Sequence, residues 1–587
     1  MTLVQSVRRP VTIAGFPLST WAFALRIWAA MMVALYAAFW LQLESASSAA
    51  VTVGILALQT RGQAYQKAVY RILCTVIGVV ASFAIAGLFA QSRELFMLAF
   101  AGWLGLCVYV GGFLDGNRAY GAVLAGYTVA LVAVTQIDSP ASVFDAGVNR
   151  GAAIVVGIAA LALISDGFAA PNLHTGLSGK LAAAHQRVHA FARAILRGEG
   201  ADPIQSANLL REITALHPDF TALAAESSGG SARGTAARSA AVALVAEVSA
   251  AAALASLPAA ASSLHSTLAD ALGGDSHALQ LRLQQRADSG DVHAYDALFV
   301  RHAQALLGED RRAQDAIEDL RAGRHPARDI HAPIYRSRRA AVRSGLRAFL
   351  AVVISAILFS LGGWPLAAQG VALVGITIAL SSNTSNPGAF AAAAVIAMPI
   401  AVLLAGVTEF LILDGVDQFP LLAIGMAPVV LGAALLFTIP NPRLASIAFL
   451  VLVFFPVILS PTNPQSYNPE TYLFFSFMAI TSVILLFVLL RTVLPTSDPL
   501  RRRWYLTSAR AEMRHLLAGG RSRRLDDEAL FRDADRIGQL AALPPAADDE
   551  RRDDIREALE ISARAAAVRG ARTALVPIAR KSCSRAC

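Results

Sequence analysis

The chain has 587 residues, 56% hydrophobic and only 16% charged, with 50 Lys and Arg against 41 Asp and Glu for a formal net charge of +9. A mean hydropathy of +0.53 and long runs nearly free of charge exclude an ordinary soluble domain and place the chain in a bilayer. Most of the arginines flank apolar runs, so the positive balance is read as membrane topology and not as a nucleic-acid partner.

In chain order, Met1 to Thr20 carries Arg8, Arg9 and two prolines but no separate short apolar core, so no cleavable-signal pattern is read there. Six apolar segments follow: Trp21 to Leu43, Ala49 to Gln59, Ala68 to Ala90, Leu95 to Leu114, Ala119 to Gln136 and Ala146 to Phe168. The second is too short to span as a straight helix. From Pro171 the composition turns to Ala, Ser, His, Arg, Glu and Asp. Leu177 to Leu196, Ala236 to Leu254 and Val292 to Leu307 there show apolar residues at three and four spacing, which predicts an amphipathic helical bundle.

A second apolar half runs Leu346 to Leu361, Ala367 to Leu380, Ala389 to Leu413, Pro420 to Thr438, Leu444 to Leu459 and Tyr472 to Leu494. Arg501 to Arg503 then open a charged, Ala-rich, helix-prone tail. Shifted by about 321 residues, Leu25-Arg26 meets Leu346-Arg347, Ala30 meets Ala351, and Val53-Gly54-Ile55 meets Val374-Gly375-Ile376. With the matching hydropathy order, these identities predict an internal repeat. The expected fold is an all-α integral membrane protein of two parallel six-segment transmembrane repeats with cytoplasmic helical domains. Its parts are an N-terminus (1–20), a first repeat (21–170), a helical domain (171–342), a second repeat (343–495) and a helical tail (496–587).

Basic residues set the orientation. With the N-terminus inside, the inner connections hold Arg8, Arg9, Arg61, Lys67, Arg118, Arg336, Arg338, Arg339, Arg343, Arg443 and Arg501 to Arg503. The outer ones hold mainly acids, with Arg93 the exception. Both termini and the middle domain then face the cytoplasm, and an even number of crossings relates the repeats by an axis along the membrane normal. Five crossings per half would split the basic loops between sides and are rejected.

Short or Gly-interrupted segments at matching places in two halves point to a transporter's binding site. Here they end in Leu58-Gln59-Thr60-Arg61-Gly62 and in the stretch from Leu380 to Gly388, which holds Asn383 and Asn386. Lys67 and Arg71 lie four apart on one helical face, and Arg71 sits about one turn inside an apolar run. An ionisable group at that depth points to a functional site, and the competing reading is that both cations snorkel to the surface. Arg26, Arg61, Lys67 and Arg71 together predict a positive vestibule for organic anions. Arg150, near the outer end of the sixth segment, is expected to pair with Asp145, or else to offer an anion an exit step. Asp115, Asp166 and Glu409 are candidates to carry a coupling proton. The tryptophans fit interface belts at least as well as a stacking site.

There is no Walker-type phosphate loop, and the middle-domain histidines have no regular ligand spacing, so no enzyme, no cofactor, no metal and no ATP-driven step is expected. The cysteines, Cys74, Cys107, Cys583 and Cys587, suggest neither a disulfide nor a metal site.

Leu58-Gln59-Thr60, followed by Lys67-x-x-x-Arg71 and Thr75-x-x-Gly78, resembles the signature of the fusaric acid resistance and aromatic acid exporter family. Cys74 stands where that pattern usually has glycine, and Arg150 with Gly157 resembles the family's later arginine-glycine element. The similarity is strongest over residues 20–170 and architectural elsewhere, and the membrane part is also similar to plant aluminium-activated malate channels. The resemblance implies a bacterial inner-membrane exporter of substituted aromatic carboxylic acids, in some cases working with a periplasmic adaptor, and it marks Gln59, Lys67, Arg71 and Arg150 as matching positions without giving them roles. The expected function is therefore proton-driven efflux of aromatic or related organic acids by a multi-pass homodimer. An organic-anion channel and a membrane scaffold or sensor with a partner-binding helical domain are the alternatives.

Overall fold

The computed structural model describes residues 12–56, 61–167, 173–197, 202–224, 230–255, 294–384, 386–415, 418–520, 525–544 and 548–583. A two-residue hairpin, Thr12–Ile13 against Phe16–Pro17, precedes an otherwise helical chain. The helices separate into two compact units, one from residues 1–171 and 338–495 and the other from residues 172–337 and 496–587.

The first unit opens with α1 (Leu18–Trp40), α2 (Ala46–Leu56), α3 (Arg61–Phe89), α4 (Arg93–Gly111), α5 (Gly116–Val132) and α6 (Val143–Gly167). The second unit begins with α7 (Leu173–Leu196), α8 (Pro203–Thr214), α9 (His217–Ala224), α10 (Gly230–Ala255) and α11 (Ala294–Ala322). The chain returns to the first unit with α12 (Arg338–Gly362), α13 (Ala367–Ser382), α14 (Pro387–Val407), α15 (Phe419–Phe437), α16 (Pro442–Leu459) and α17 (Pro469–Thr492). It ends in the second unit with α18 (Asp498–Leu517), α19 (Asp526–Ala541) and α20 (Asp548–Cys583).

Local chemistry sets many of these boundaries. Three helices of the later half start on an Asn-Pro pair: Asn386, Asn441 and Asn468 each accept a hydrogen bond from a backbone N–H of the first turn. The proline at the first helical position gives up an N–H that would have had no partner. Ser92 caps α4 in the same way, accepting from the Leu95 N–H at 3.4 Å.

Eleven described helices are long and apolar enough to cross a membrane, and all but α10 lie in the first unit. Each half contributes five of the long helices and one short one, α2 or α13, the second segment of its half. With 11 residues α2 rises only ~16 Å, about half the hydrocarbon thickness. Within the earlier half α2 packs on α1 and α6, and α3 on α5 and α6; within the later half α13 packs on α12 and α17, and α14 on α16 and α17. The halves meet where α4 lies on α12, α5 on α13, α1 on α15 and α2 on α16.

Glycines mark the closest of these approaches. A Cβ on Gly78 of α3 would fall 2.5 Å from Thr128 Cβ and 2.8 Å from the Ala125 carbonyl oxygen on α5. One on Gly157 of α6 would fall 2.6 Å from the Ala49 carbonyl oxygen on α2.

In the second unit α10 is rich in alanine and apolar, but it is the central helix, buried by α7, α8, α9, α11 and α19. Asp535 on α19 accepts the Tyr335 backbone N–H at 2.7 Å, and Gln539 Nε2 donates to the Tyr335 carbonyl at 3.2 Å, so the tail is stitched to the middle segment by polar as well as apolar contacts. The tail therefore belongs to the same compact body as residues 172–337.

Gly78→Ala should lose about 1–3 kcal/mol through overpacking, read as a lower unfolding temperature of the detergent-purified protein. Gly87 lies on the same helix with nothing within 4 Å of its Cβ direction, so Gly87→Ala should leave that temperature unchanged or raise it, by up to about 1 kcal/mol of helix propensity.

Candidate anion site

Four helices of the earlier half bring their polar residues to one place. On α2, Ser48 and Thr52 are one turn apart, and the Thr52 hydroxyl donates to the Ser48 carbonyl at 2.7 Å, leaving its lone pairs free to accept. On α3 stand Lys67 and Arg71, on α5 Tyr120 and Tyr127, and on α6 Arg150. Seven residues is close to two turns, so the two tyrosines share a face of α5.

Arg71 is 1% exposed. One terminal nitrogen donates to the Tyr120 hydroxyl, and the other donates to Thr52 Oγ1 at 3.0 Å. The Tyr127 hydroxyl stands beside the same guanidinium without a hydrogen bond of standard geometry. Arg150 is 7% exposed, and its Nη1 donates to Ser48 Oγ at 3.4 Å. Each arginine keeps a buried Nε–H with no acceptor among the described residues. Lys67 is engaged differently: its ammonium donates to the Ile55 carbonyl at 2.7 Å and lies 5.0 Å from the centre of the Tyr120 ring. Ile55 is in the last turn of α2, where carbonyls lack helical partners and the helix dipole is negative, so Lys67 closes the end of the short helix.

The electrostatic balance is one-sided. Arg71 lies close enough to both Lys67 and Arg150 to repel them. Among the described residues no carboxylate comes within ion-pair distance of any of them. Arginine cannot shed its proton, and a buried charge is tolerated only when countered. Hydroxyls, an aromatic face and the end of α2 supply dipoles but no negative charge. The negative charge is missing, and two guanidinium Nε–H groups have no acceptor among the described residues.

The other expected residues are distributed elsewhere. Arg150 does not pair with Asp145, because five residues turn the two side chains about 140° apart on a helix; Asp145 is exposed while Arg150 points inward. Arg26 is buried on α1, its guanidinium 5.4 Å from the Phe23 ring centre. Asn386 is exposed and caps α14, accepting from the Ala389 N–H at 3.0 Å, and Asn383 is exposed at the end of α13. No described contact joins either asparagine to the arginine cluster. Asp115 is half-buried in the turn before α5, and Glu409 is buried in a π-helical turn, Thr408–Ile412, that ends α14. Gln59 and Thr60 lie outside the described residues, as do the side chains of Arg61 and Asp166.

Ser48, Thr52, Tyr120 and Tyr127 were not singled out from sequence. The spacings, four on α2 and seven on α5, were there to be read, but hydroxyls in apolar runs are common and only the meeting of helices makes these four a site. Two tryptophans of the expected belts join helices instead: Trp28 donates to the Ala423 carbonyl at 3.0 Å and Trp103 to the Ala125 carbonyl at 3.1 Å. A separate cavity of about 270 Å³ lies where α1 ends and α15 begins, lined by Tyr36, Phe39, Trp40, Phe419, Tyr467 and Gln418 among others.

Comparison with known proteins adds the following. The model of the fusaric acid resistance protein family matches residues 20–587. An uncharacterized transporter of Gluconobacter oxydans (strain 621H) is 24% identical over 564 residues, which covers 88% of this chain and 76% of that protein. The uncharacterized transporter YdhK of Escherichia coli (strain K12) is 28% identical over 193 residues, 32% of this chain and 29% of that protein. The p-hydroxybenzoic acid efflux pump subunit AaeB of Escherichia coli (strain K12) is 30% identical over 145 residues, 23% of this chain and 22% of that protein. No solved structure matches.

Tyr120→Phe removes the acceptor of one Arg71 N–H and should cost about 1–3 kcal/mol. The loss is read as a lower unfolding temperature in anion-poor buffer. Adding an aryl carboxylate should recover part of that temperature, because the anion can serve the donor left unpaired.

Proposed function

The chain belongs to the fusaric acid resistance protein family, a multi-pass membrane transporter by that membership and by its long apolar helices, and from there we propose that it exports aromatic or related organic carboxylic acids across a bacterial inner membrane. The observation that carries the substrate class is the pair of buried arginines, Arg71 and Arg150, without a carboxylate counter-charge. A substrate carboxylate supplies the missing negative charge and accepts the unspent Nε–H groups. The Tyr120 and Tyr127 rings offer faces for an aromatic body beside it. Support for that body comes from AaeB, named as an efflux pump subunit for p-hydroxybenzoic acid.

The two halves act as repeats in this reading. They share a helix order of one long, one short and four long helices, and Arg26 and Arg347, 321 residues apart, are both buried. The short α2 touches the arginine cluster on one side and α16 of the other half on its far side. Movement at that seam opens the site first to one face of the membrane and then to the other. The aromatic-lined cavity at the end of α1 serves as the exit. Both termini and the second unit face the cytoplasm, following the basic connections. Proton motive force drives export, with Glu409, the buried carboxylate of the later half, carrying the proton. A homodimer and a periplasmic adaptor complete the proposed assembly, and the substrate's chemistry needs no cofactor.

The test is counterflow in liposomes with labelled aryl and aliphatic carboxylates, with and without a pH gradient. Arg71→Ala should abolish uptake of the label while the protein stays folded and inserted; full activity in that variant overturns the anion-site assignment. Glu409→Gln should keep exchange but lose its stimulation by the pH gradient. Flux that follows only the anion's own electrochemical gradient would replace the proton-driven scheme with a channel.

A further inference from the structure

The second unit contains a buried cluster that the transport scheme does not use. Glu247 lies in the middle of α10 and is 0% exposed, yet neither of its carboxylate oxygens has a hydrogen-bonding partner among the described residues. A carboxylate in that position is costly unless something neutralises it. Beside it, His185 Nε2 on α7 lies 2.7 Å from Asp310 Oδ1 on α11, and Asp310 is itself buried. One ligand atom from each of His185, Glu247 and Asp310 falls within 4.8 Å of the other two.

The geometry points to a divalent-cation site, held by the His185 imidazole and the Glu247 and Asp310 carboxylates, that clasps α7, α10 and α11. The charge balance fits: a neutral imidazole and two carboxylates sum to the charge that one divalent ion cancels. The donor set is mixed nitrogen and oxygen without sulfur, which suits Zn²⁺ in a site with three protein ligands and an open position. The site also has a supporting hydrogen bond of the kind that orients ligands, since Gln314 Nε2 donates to the second Asp310 oxygen at 3.1 Å. His189 stands one turn along α7, its ring centre 5.7 Å from that of His185. The ligands lie 62 and 63 residues apart along the chain, which is why no ligand spacing shows in the sequence.

The test uses the full-length protein in detergent, stripped with a chelator, dialysed against ZnCl₂ and then against metal-free buffer. Elemental analysis should find close to one zinc per chain, and the loaded protein should unfold at a higher temperature than the stripped one. Glu247→Gln, nearly the same shape, should weaken zinc binding at least tenfold, and His185→Gln should do the same, so the result does not depend on one variant folding. Zinc retained equally by both variants would place the metal elsewhere on the surface and overturn the assignment. So would a wild-type protein that retains no zinc, or a stripped Glu247→Gln protein more stable than the stripped wild type together with no effect of zinc on either, since Glu247 would then simply hold a proton.

Discussion

Everything distinctive about the membrane unit depends on keeping two guanidinium charges, Arg71 and Arg150, buried side by side. Neither can be neutralised by losing a proton, so the surrounding helices must solvate them. The answer found here is a ring of neutral acceptors: the hydroxyls of Ser48, Thr52 and Tyr120. These accept from both terminal nitrogens of Arg71 and from one of Arg150 and leave the net positive charge in place. A fixed carboxylate would have stabilised the cluster better and closed it to any mobile anion. The polar ring thus holds the guanidiniums in place while their Nε–H groups stay without an acceptor among the described residues.

The rest of the local architecture serves that cluster. The short α2 ends where Lys67 can cap it, and this places Thr52 opposite Arg71 and Ser48 opposite Arg150. Gly157 lets α6 approach α2 and Gly78 lets α3 approach α5, so all four helices come close enough for single side chains to bridge them. The later half has the same order of long and short helices but no counterpart of Lys67, Arg71 and Arg150 among its described buried residues. Among its described residues the buried charged groups are Arg347 and Glu409, so the buried arginine pair and the buried carboxylate fall in different halves.

The second unit follows a different rule. Its core is built on α10, a helix apolar enough to be mistaken for a membrane crossing, enclosed by amphipathic neighbours that present their apolar stripes to it. Hydropathy alone cannot separate such a helix from a spanning one, because both lack exposed polar surface. What distinguishes it is the company of α7, α11 and α19, whose other faces carry charge.

The sequence by itself determined what depends on short stretches: the membrane class, the positions of the long apolar helices, and Arg71 as an ionisable group out of place in an apolar run. Each of these is decided within about twenty residues by length and hydropathy. It also carried the likeness to the family, since the Lys67, Arg71 and Gly78 spacing is local. Only the tertiary structure decided which faces meet. It turned Arg150 away from Asp145 and toward Ser48 and Arg71, made Tyr120 a partner of Arg71, gave Lys67 a helix end to close, and packed residues 496–587 with residues 172–337. Those outcomes depend on helix rotation and on pairings between residues tens to hundreds of positions apart, and no periodicity along one chain segment encodes them.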